Sequence, residues 1–224
     1  LNLEFEPSVV VLVDAVQLAS QQRKLVDALI AIKHKFPGAL VWTPGIGGPD
    51  NLAVLTWFGV DIFDLARSRQ CTAANFILTS NGPRKPVPQS GEDTDLESQV
   101  VHWKLAISEV KARLADGTLR TLVEQQAINS PKLVEHLRYH DKLARYNSDV
   151  GISHVPKDTI LHCNSHTSLS NPVVTKWTDF MIEQYQPPEG LDNVLLLLPC
   201  SAKKPYRMSK SHRKFLDVIG HSAF

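Results

Sequence analysis

Cysteine is scarce in this 224-residue sequence: Cys71, Cys163 and Cys200 stand far apart and odd in number. That excludes a secreted disulfide framework and fits a reducing cytoplasm, which is the expected location. No apolar run approaches the ~20 residues that a membrane-spanning helix needs, and no stretch has the pattern of a signal peptide, so no membrane partner is expected. An excess of charge is missing too. The 24 Lys and Arg against 23 Asp and Glu leave a net charge of +1, which gives no global argument for a polyanionic partner. Charge has to be read locally. Internal repeats and low-complexity tracts are also lacking. What is present is 43% hydrophobic residues, ample for a buried core in one or two domains.

The first half alternates strand and helix patterns. SVVVLVDA (8–15) is a β-branched run suited to a buried parallel strand, and LVDALIAIKHKF (25–36) repeats apolar residues at helical spacing. GALVWTPGIG (38–47) reads as a strand, and PDNLAVLTWFG (49–59) as a helix capped by Asp50 and ended by Gly59. VDIFDL (60–65) reads as a third strand ending on Asp64. This is the rhythm of parallel α/β architecture, in which functional groups sit at strand C-termini. Residues 80–95 read as a surface loop, and three helical patterns follow, the last opening on Pro131. TILHCNS (159–165) reads as a strand, and WTDFMIEQYQPPEG as a helix stopped by Pro187 and Pro188. NVLLLLP (193–199) is the strongest strand signal and is expected to be buried and central.

Directly behind that run comes LPCSAKKPYRMSKSHRKF (198–215), with one cysteine, three serines, one histidine, one tyrosine and six Lys or Arg. SKSHRKFLDVIG (209–220) reads as a helix with Ser209 or Ser211 as N-cap, so the segment connects a strand to a helix. Helix N-termini favour anions, and Lys203, Lys204, Lys210 and Arg213 add positive field there. The bland alternative is a basic, solvated loop beside a packed cysteine.

PCSAKKPYRMSKSH resembles the Pro-Cys-Ser, Lys-Pro-Tyr, Ser, His signature of the archaeosine synthases, archaeal tRNA-modifying proteins descended from tRNA-guanine transglycosylases. GIGGPDNLAVLTWFGVDIFD, HWKLAISEVKARLADGTLRTLVEQQ, PKLVEHLRYHD and SNPVVTKWTDFMIEQYQPP resemble that family in the same order, so the likeness covers nearly the whole chain. It implies an α/β fold in which 1–150 is a partial transglycosylase-like, TIM-barrel-derived domain, helical in its second half. By the same likeness, residues 151–224 are expected to begin a second α/β domain. It also implies action on tRNA carrying 7-cyano-7-deazaguanine in its D-arm. The resemblance further implies that free lysine adds to the nitrile and that a radical-SAM partner protein then cleaves the adduct. Cys200, Ser201, Lys204, Tyr206, Ser209 and His212 carry over from the motif as catalytic candidates. Lys203, Lys210, Arg213 and Asp64 are the candidates for substrate binding.

Chemistry suggests roles. Amine addition to a nitrile needs a base for the attacking amine and a donor for the developing imide nitrogen. His212 is the choice for acid or base work, Tyr206 and the serines for hydrogen-bond donation, and Lys204 for a phosphate or carboxylate. Cys200 either attacks first to give a thioimidate or only packs.

Departures from the family pattern matter as much. Asp64 matches the nucleophilic carboxylate of true transglycosylases, but those enzymes hold zinc with a Cys-x-Cys-x-x-Cys cluster and a histidine. Here His102 has no cysteine in the preceding SGEDTDLESQ, so no metal and no cofactor are expected. Cys163 with His166 would supply only two ligands. Three strands before the helices are too few for a barrel, so a split or truncated member is expected. Its exposed strand edges would seek a complementary chain or a second copy. Two alternatives stay open: a non-catalytic tRNA-binding or scaffold subunit, and active base exchange through Asp64.

Overall fold

β-branched and aliphatic residues at the start of the chain form the parallel pair β1 (Val9–Val11) and β2 (Leu40–Trp42), in register Val9↔Leu40, Val10↔Val41 and Val11↔Trp42. The computed structural model describes residues 6–146, 160–190, 195–203 and 205–221. It divides into two units, Leu1–Phe180 and Met181–Phe224. The boundary expected between residues 150 and 151 lies outside the described residues.

In the first unit β1 is less buried than its sequence suggests, with Val9 and Val11 44% and 43% exposed. Alternate residues share one face of a strand, and that face of β1 is left uncovered among the described residues. The helices α1 (Ala15–Ser20) and α2 (Lys24–Lys35) connect β1 to β2, and α3 (Leu52–Trp57) leads from β2 to the next extended segment. That segment, expected as a third strand over 60–65, makes only a single bridge, Trp42↔Ile62. The reason is a side chain. Asp61 Oδ2 accepts from Val41 N at 2.9 Å and from Lys33 Nζ at 2.8 Å, and thereby takes a backbone donor that a ladder would use.

Four helices follow, α4 (Ala66–Ala73), α5 (Leu96–Ala115), α6 (Leu119–Ala127) and α7 (Pro131–Tyr146); α5 and α6 pack on α3, α4 on α5, and α7 on α6 and α2. Leu52, Ala53, Val54 and Leu55 of α3 are all buried and join Val41, Trp103, Val123 and Leu137 in one core. A helix apolar on every side is stable only when enclosed in this way. Gly59 ends it at φ +92, a conformation that side chains rarely adopt. Asp50 does not cap α3 as the sequence suggests; its carboxylate takes a bidentate pair from Arg67 at 2.7 and 2.8 Å. The α3 donor Ala53 N is satisfied instead by Gln126 Oε1 at 2.8 Å, while Gln126 Nε2 donates to Pro49 O at 3.0 Å. One α6 amide therefore fixes the loop between β2 and α3.

Arg120 is the polar centre of the helical layer. It donates bidentately to Asp141 at 2.7 and 2.7 Å and through Nε to Glu124 at 2.9 Å, with its guanidinium over the Trp57 ring. Glu124 in turn accepts from Ser165 and Ser168, and Asp141 from Ser170, which tie the short 3-10 helix His166–Ser170 to α6 and α7.

Residues 80–95 are not loop throughout. Ile77–Thr79 (β3) and Gly82–Arg84 (β4) form an antiparallel hairpin around Ser80 and Asn81, with Gly82 at φ +101. Gln99 anchors it to α5 by accepting from Leu78 N and donating to Phe76 O. The described part of TILHCNS, 160–165, is not strand. The helix α8 (Pro172–Glu183) closes the first unit, and its last residues begin the second.

In the second unit the largest correction concerns 193–199. Residues 193 and 194 lie outside the described residues, and Leu195, Leu196, Leu197 and Leu198 are 85%, 57%, 81% and 38% exposed without strand pairing. A leucine run is buried as a strand only where neighbours cover both of its faces, and no described strand pairs with it. The helix α9 (Lys210–Gly220) forms where expected.

Candidate functional site

The 198–215 segment is organised around one imidazole. Pro205, with φ −66 and ψ 149, enters a tight 3-10 turn over Tyr206–Met208, closed by Met208 N donating to Pro205 O at 2.9 Å and Ser209 N donating to Tyr206 O at 2.8 Å. Ser209 then caps α9, its Oγ accepting from His212 N at 3.1 Å. The turn brings the Tyr206 ring flat against His212, with centroids 4.8 Å apart and planes 16° apart. One helical turn after His212, Phe215 meets the imidazole edge-on at 5.6 Å. His212 thus sits 6% exposed in an aromatic slot.

Ser209 Oγ is the hub of this arrangement. It lies 3.0 Å from His212 Nδ1 and 3.3 Å from Ser211 Oγ, and it is itself 3% exposed. The cap therefore fixes the ring as well as the helix, and Nε2 is the ring nitrogen that Ser209 does not hold. A histidine so oriented by a partner on one nitrogen can exchange a proton at the other. Arg213 donates to Met208 O at 3.1 Å and ties the helix back to the turn.

The remaining candidates are placed differently. Cys200 is an exposed free thiol, and no hydrogen bond or ring contact among the described residues joins it to the slot. Ser201 is half-buried, Lys203, Lys210 and Arg213 are exposed, and Lys204 lies outside the described residues. Phe215 and Pro205 were missed by the sequence reading. Phe215 had a signal, its three-residue spacing from His212 along a helix.

Asp64 belongs to the first unit and is saturated with donors. Its Oδ2 accepts from Gly45 N at 2.9 Å and Trp42 Nε1 at 3.2 Å, and its Oδ1 from Ala66 N at 2.8 Å. Partial burial works to raise the carboxyl pKa, but hydrogen bonds from Ala66, Gly45 and Trp42 outweigh it and hold the group below its ordinary value. A carboxylate committed to three donors at the end of β2 serves the backbone there, although it also borders an apolar pocket of about 220 Å³ with Phe63, Val100 and Trp103. Asp64→Ala is expected to lower stability by about 1–3 kcal/mol in urea denaturation, since it strands donors at a strand end. Asp64→Asn, which keeps an acceptor, should lose less. The stabilisation belongs to the ionised form, so it is present above the ordinary carboxyl pKa of 3.8 and is lost as pH falls through the lower folded value.

His102 lies half-buried on α5, and Cys163 and His166 are exposed; no group of three His, Cys, Asp or Glu side chains placed to hold a metal occurs among the described residues.

The fold and this loop define an α/β protein with a histidine-centred Pro-Cys-Ser to Ser-x-Ser-His connection. Residues 174–223 match a family model described as a domain of unknown function, DUF5591. Over most of its length the chain is archaeosine synthase-like. It is 29% identical to the archaeosine synthase of Haloferax volcanii across 98% of this chain and 40% of that protein. It is 28% identical to the archaeosine synthase of Methanocaldococcus jannaschii, across 88% of this chain and 32% of the relative. The archaeosine synthase subunit alpha of Thermoplasma acidophilum is 27% identical, across 95% and 40%. The chain therefore spans about a third to two fifths of the length of these curated relatives.

Proposed function

We propose that this chain acts in archaeal tRNA modification, adding an amine, with lysine the expected donor, to the nitrile of 7-cyano-7-deazaguanine in the tRNA D-arm on the way to archaeosine. The observation that carries this reading is the ordered His212 slot inside a motif shared with archaeosine synthases, in a chain that resembles them over most of its length. The addition forms one C–N bond and breaks one π bond of the nitrile. One proton leaves the attacking nitrogen and one reaches the imide nitrogen, so the step is redox-neutral and calls for no electron-carrying cofactor. His212 takes the proton from the amine and returns it to the imide. Tyr206 and Ser209 orient the imidazole, and Ser201 donates to the developing charge. Lys203, Lys204, Lys210 and Arg213 hold phosphate or the carboxylate of the amino acid. Cys200 has a separate route, in which its thiolate adds to the nitrile and the amine then displaces it from the thioimidate. Cleavage of the adduct falls to a radical-SAM partner protein.

A second reading is favoured by the exposed run Leu195–Leu198, which leaves the motif without a sheet beside it among the described residues. In that reading the chain positions tRNA and a complementary chain or second copy completes the site. One incubation separates these readings: the chain with lysine and nitrile-bearing tRNA, followed by nucleoside mass analysis. A nucleoside heavier by one whole lysine is expected. Release of the free base would instead favour exchange through Asp64. An unchanged nucleoside on tRNA that is nevertheless bound would favour the scaffold.

A further inference from the structure

A second charged site lies within the first unit. A cleft of about 520 Å³ is lined by Arg138, Lys142, Arg145 and Tyr146 of α7, with His166 and Thr167 among the residues that face them. The three α7 cations recur at i, i+4 and i+7, so they form one row along a single helix face, spanning on the order of 10 Å at 1.5 Å per residue. His166 and Thr167 reach the same cleft from the 3-10 helix, which Glu124 and Asp141 pin to α6 and α7.

The charge balance of this cleft is one-sided. Its carboxylate, Asp141, is buried and already neutralised by the bidentate Arg120. Arg145 is paired with Asp179 at 2.7 Å. Arg138 and Lys142 are exposed and have no carboxylate within ion-pair reach among the described residues. Tyr146 is 77% exposed beside the Arg145 guanidinium, which lies 5.6 Å from its ring centroid. Cations in a row, a hydroxyl and an exposed aromatic ring are the parts from which single-stranded nucleic-acid sites are built: the charges track phosphates and the ring stacks on a base.

We propose that the Arg138–Lys142 cleft is a docking site for the sugar-phosphate backbone of an unpaired RNA segment, with Tyr146 stacking on one of its bases. The proposal rests on the reading of the chain as a tRNA-acting protein and assigns part of the tRNA contact to α7. An acidic peptide would satisfy the cations but would leave the aromatic ring unused.

The test is tRNA binding by fluorescence anisotropy across a salt series, on the full chain. Arg138→Ala with Lys142→Ala should weaken binding about 10-fold and reduce the slope of log affinity against log salt by about 1.5, for two phosphate contacts at ~0.7–0.9 each. Tyr146→Ala should weaken it without changing the slope. Arg138→Lys, which keeps the charge, should bind as the unaltered chain does. Lys104→Ala with Lys111→Ala, two exposed cations of α5, controls for net charge. Because Arg138 and Lys142 are exposed, their removal leaves the fold intact, and circular dichroism verifies it. If the cleft variant binds no worse than the α5 variant, the cleft assignment is overturned while the tRNA reading stands. If the unaltered chain binds no tRNA, both fall. Polyglutamate that displaces tRNA as well as single-stranded RNA does would also overturn the assignment.

Discussion

Arg120→Ala is expected to cost about 3–5 kcal/mol of folding stability. The side chain is 9% exposed and its partners Glu124 and Asp141 are 9% and 0% exposed, so its removal leaves Glu124 desolvated without a counter-charge and Asp141 with only His140, whose Nδ1 lies 4.0 Å away, among the described residues. Burial works against the charge of Asp141, and the Arg120 hydrogen bonds reverse that and hold its pKa below the ordinary value. Stabilisation from Asp141 is therefore present above pH 3.8 and fades as pH falls toward the lower folded pKa. Urea denaturation at pH 7 measures the loss. Arg120→Met with Asp141→Leu, which removes the bidentate pair and restores apolar volume, should recover part of it. A single Arg120→Ala chain within about 1 kcal/mol of the unaltered protein would mean that water reaches the pair and that the helical layer is looser than its burial indicates.

That network explains why some of the fold was legible in the sequence and some was not. Helices α2, α5, α7 and α9 announce themselves, because apolar residues every three or four positions are a local property. The polar ties are not local. Gln126 satisfies Ala53 N across 73 residues and Gln99 satisfies Leu78 N across 21, and neither glutamine looks different in sequence from one on a wet surface. Short-range chemistry also misled where a side chain competed with the backbone. Asp61 capped Val41 N and reduced an expected strand to one bridge, and Arg67 drew Asp50 away from the cap it was expected to make.

The 195–198 run is the clearest limit. Four leucines signal that this segment belongs inside a sheet, but a sheet is a property of several segments together, and the described residues supply no neighbour for it. At the loop itself the sequence named Tyr206, Ser209 and His212, and the structure brings those three together. It could not indicate that Pro205 turns the tyrosine back over the histidine, because a 3-10 turn has no periodic signature over three residues.

His212→Asn is expected to slow adduct formation by about 10²–10⁴-fold while changing tRNA affinity by no more than about twofold. Asparagine keeps a polar group near Ser209 but cannot exchange a proton near neutral pH, so the substitution separates chemistry from packing better than alanine does. The neighbouring serine sharpens the assignment. Ser209→Gly should cost only a few tenths of a kcal/mol as a helix cap, yet it removes the group 3.0 Å from Nδ1. Turnover should fall about tenfold with stability nearly unchanged. Ser209→Asp also caps the helix, and it places a carboxylate beside Nδ1, which favours the protonated imidazole. The pH dependence of adduct formation should then move to higher pH, a displacement that a packing role for His212 would not produce. Lys203→Ala is the contrasting case, because that side chain is exposed and its loss should weaken tRNA binding in a salt-dependent way and leave single-turnover chemistry intact. If His212→Asn retains adduct formation, or loses it only in proportion to tRNA affinity, then the histidine is the keystone of a docking loop and the proton is moved by another group, with the thiol of Cys200 the next to replace.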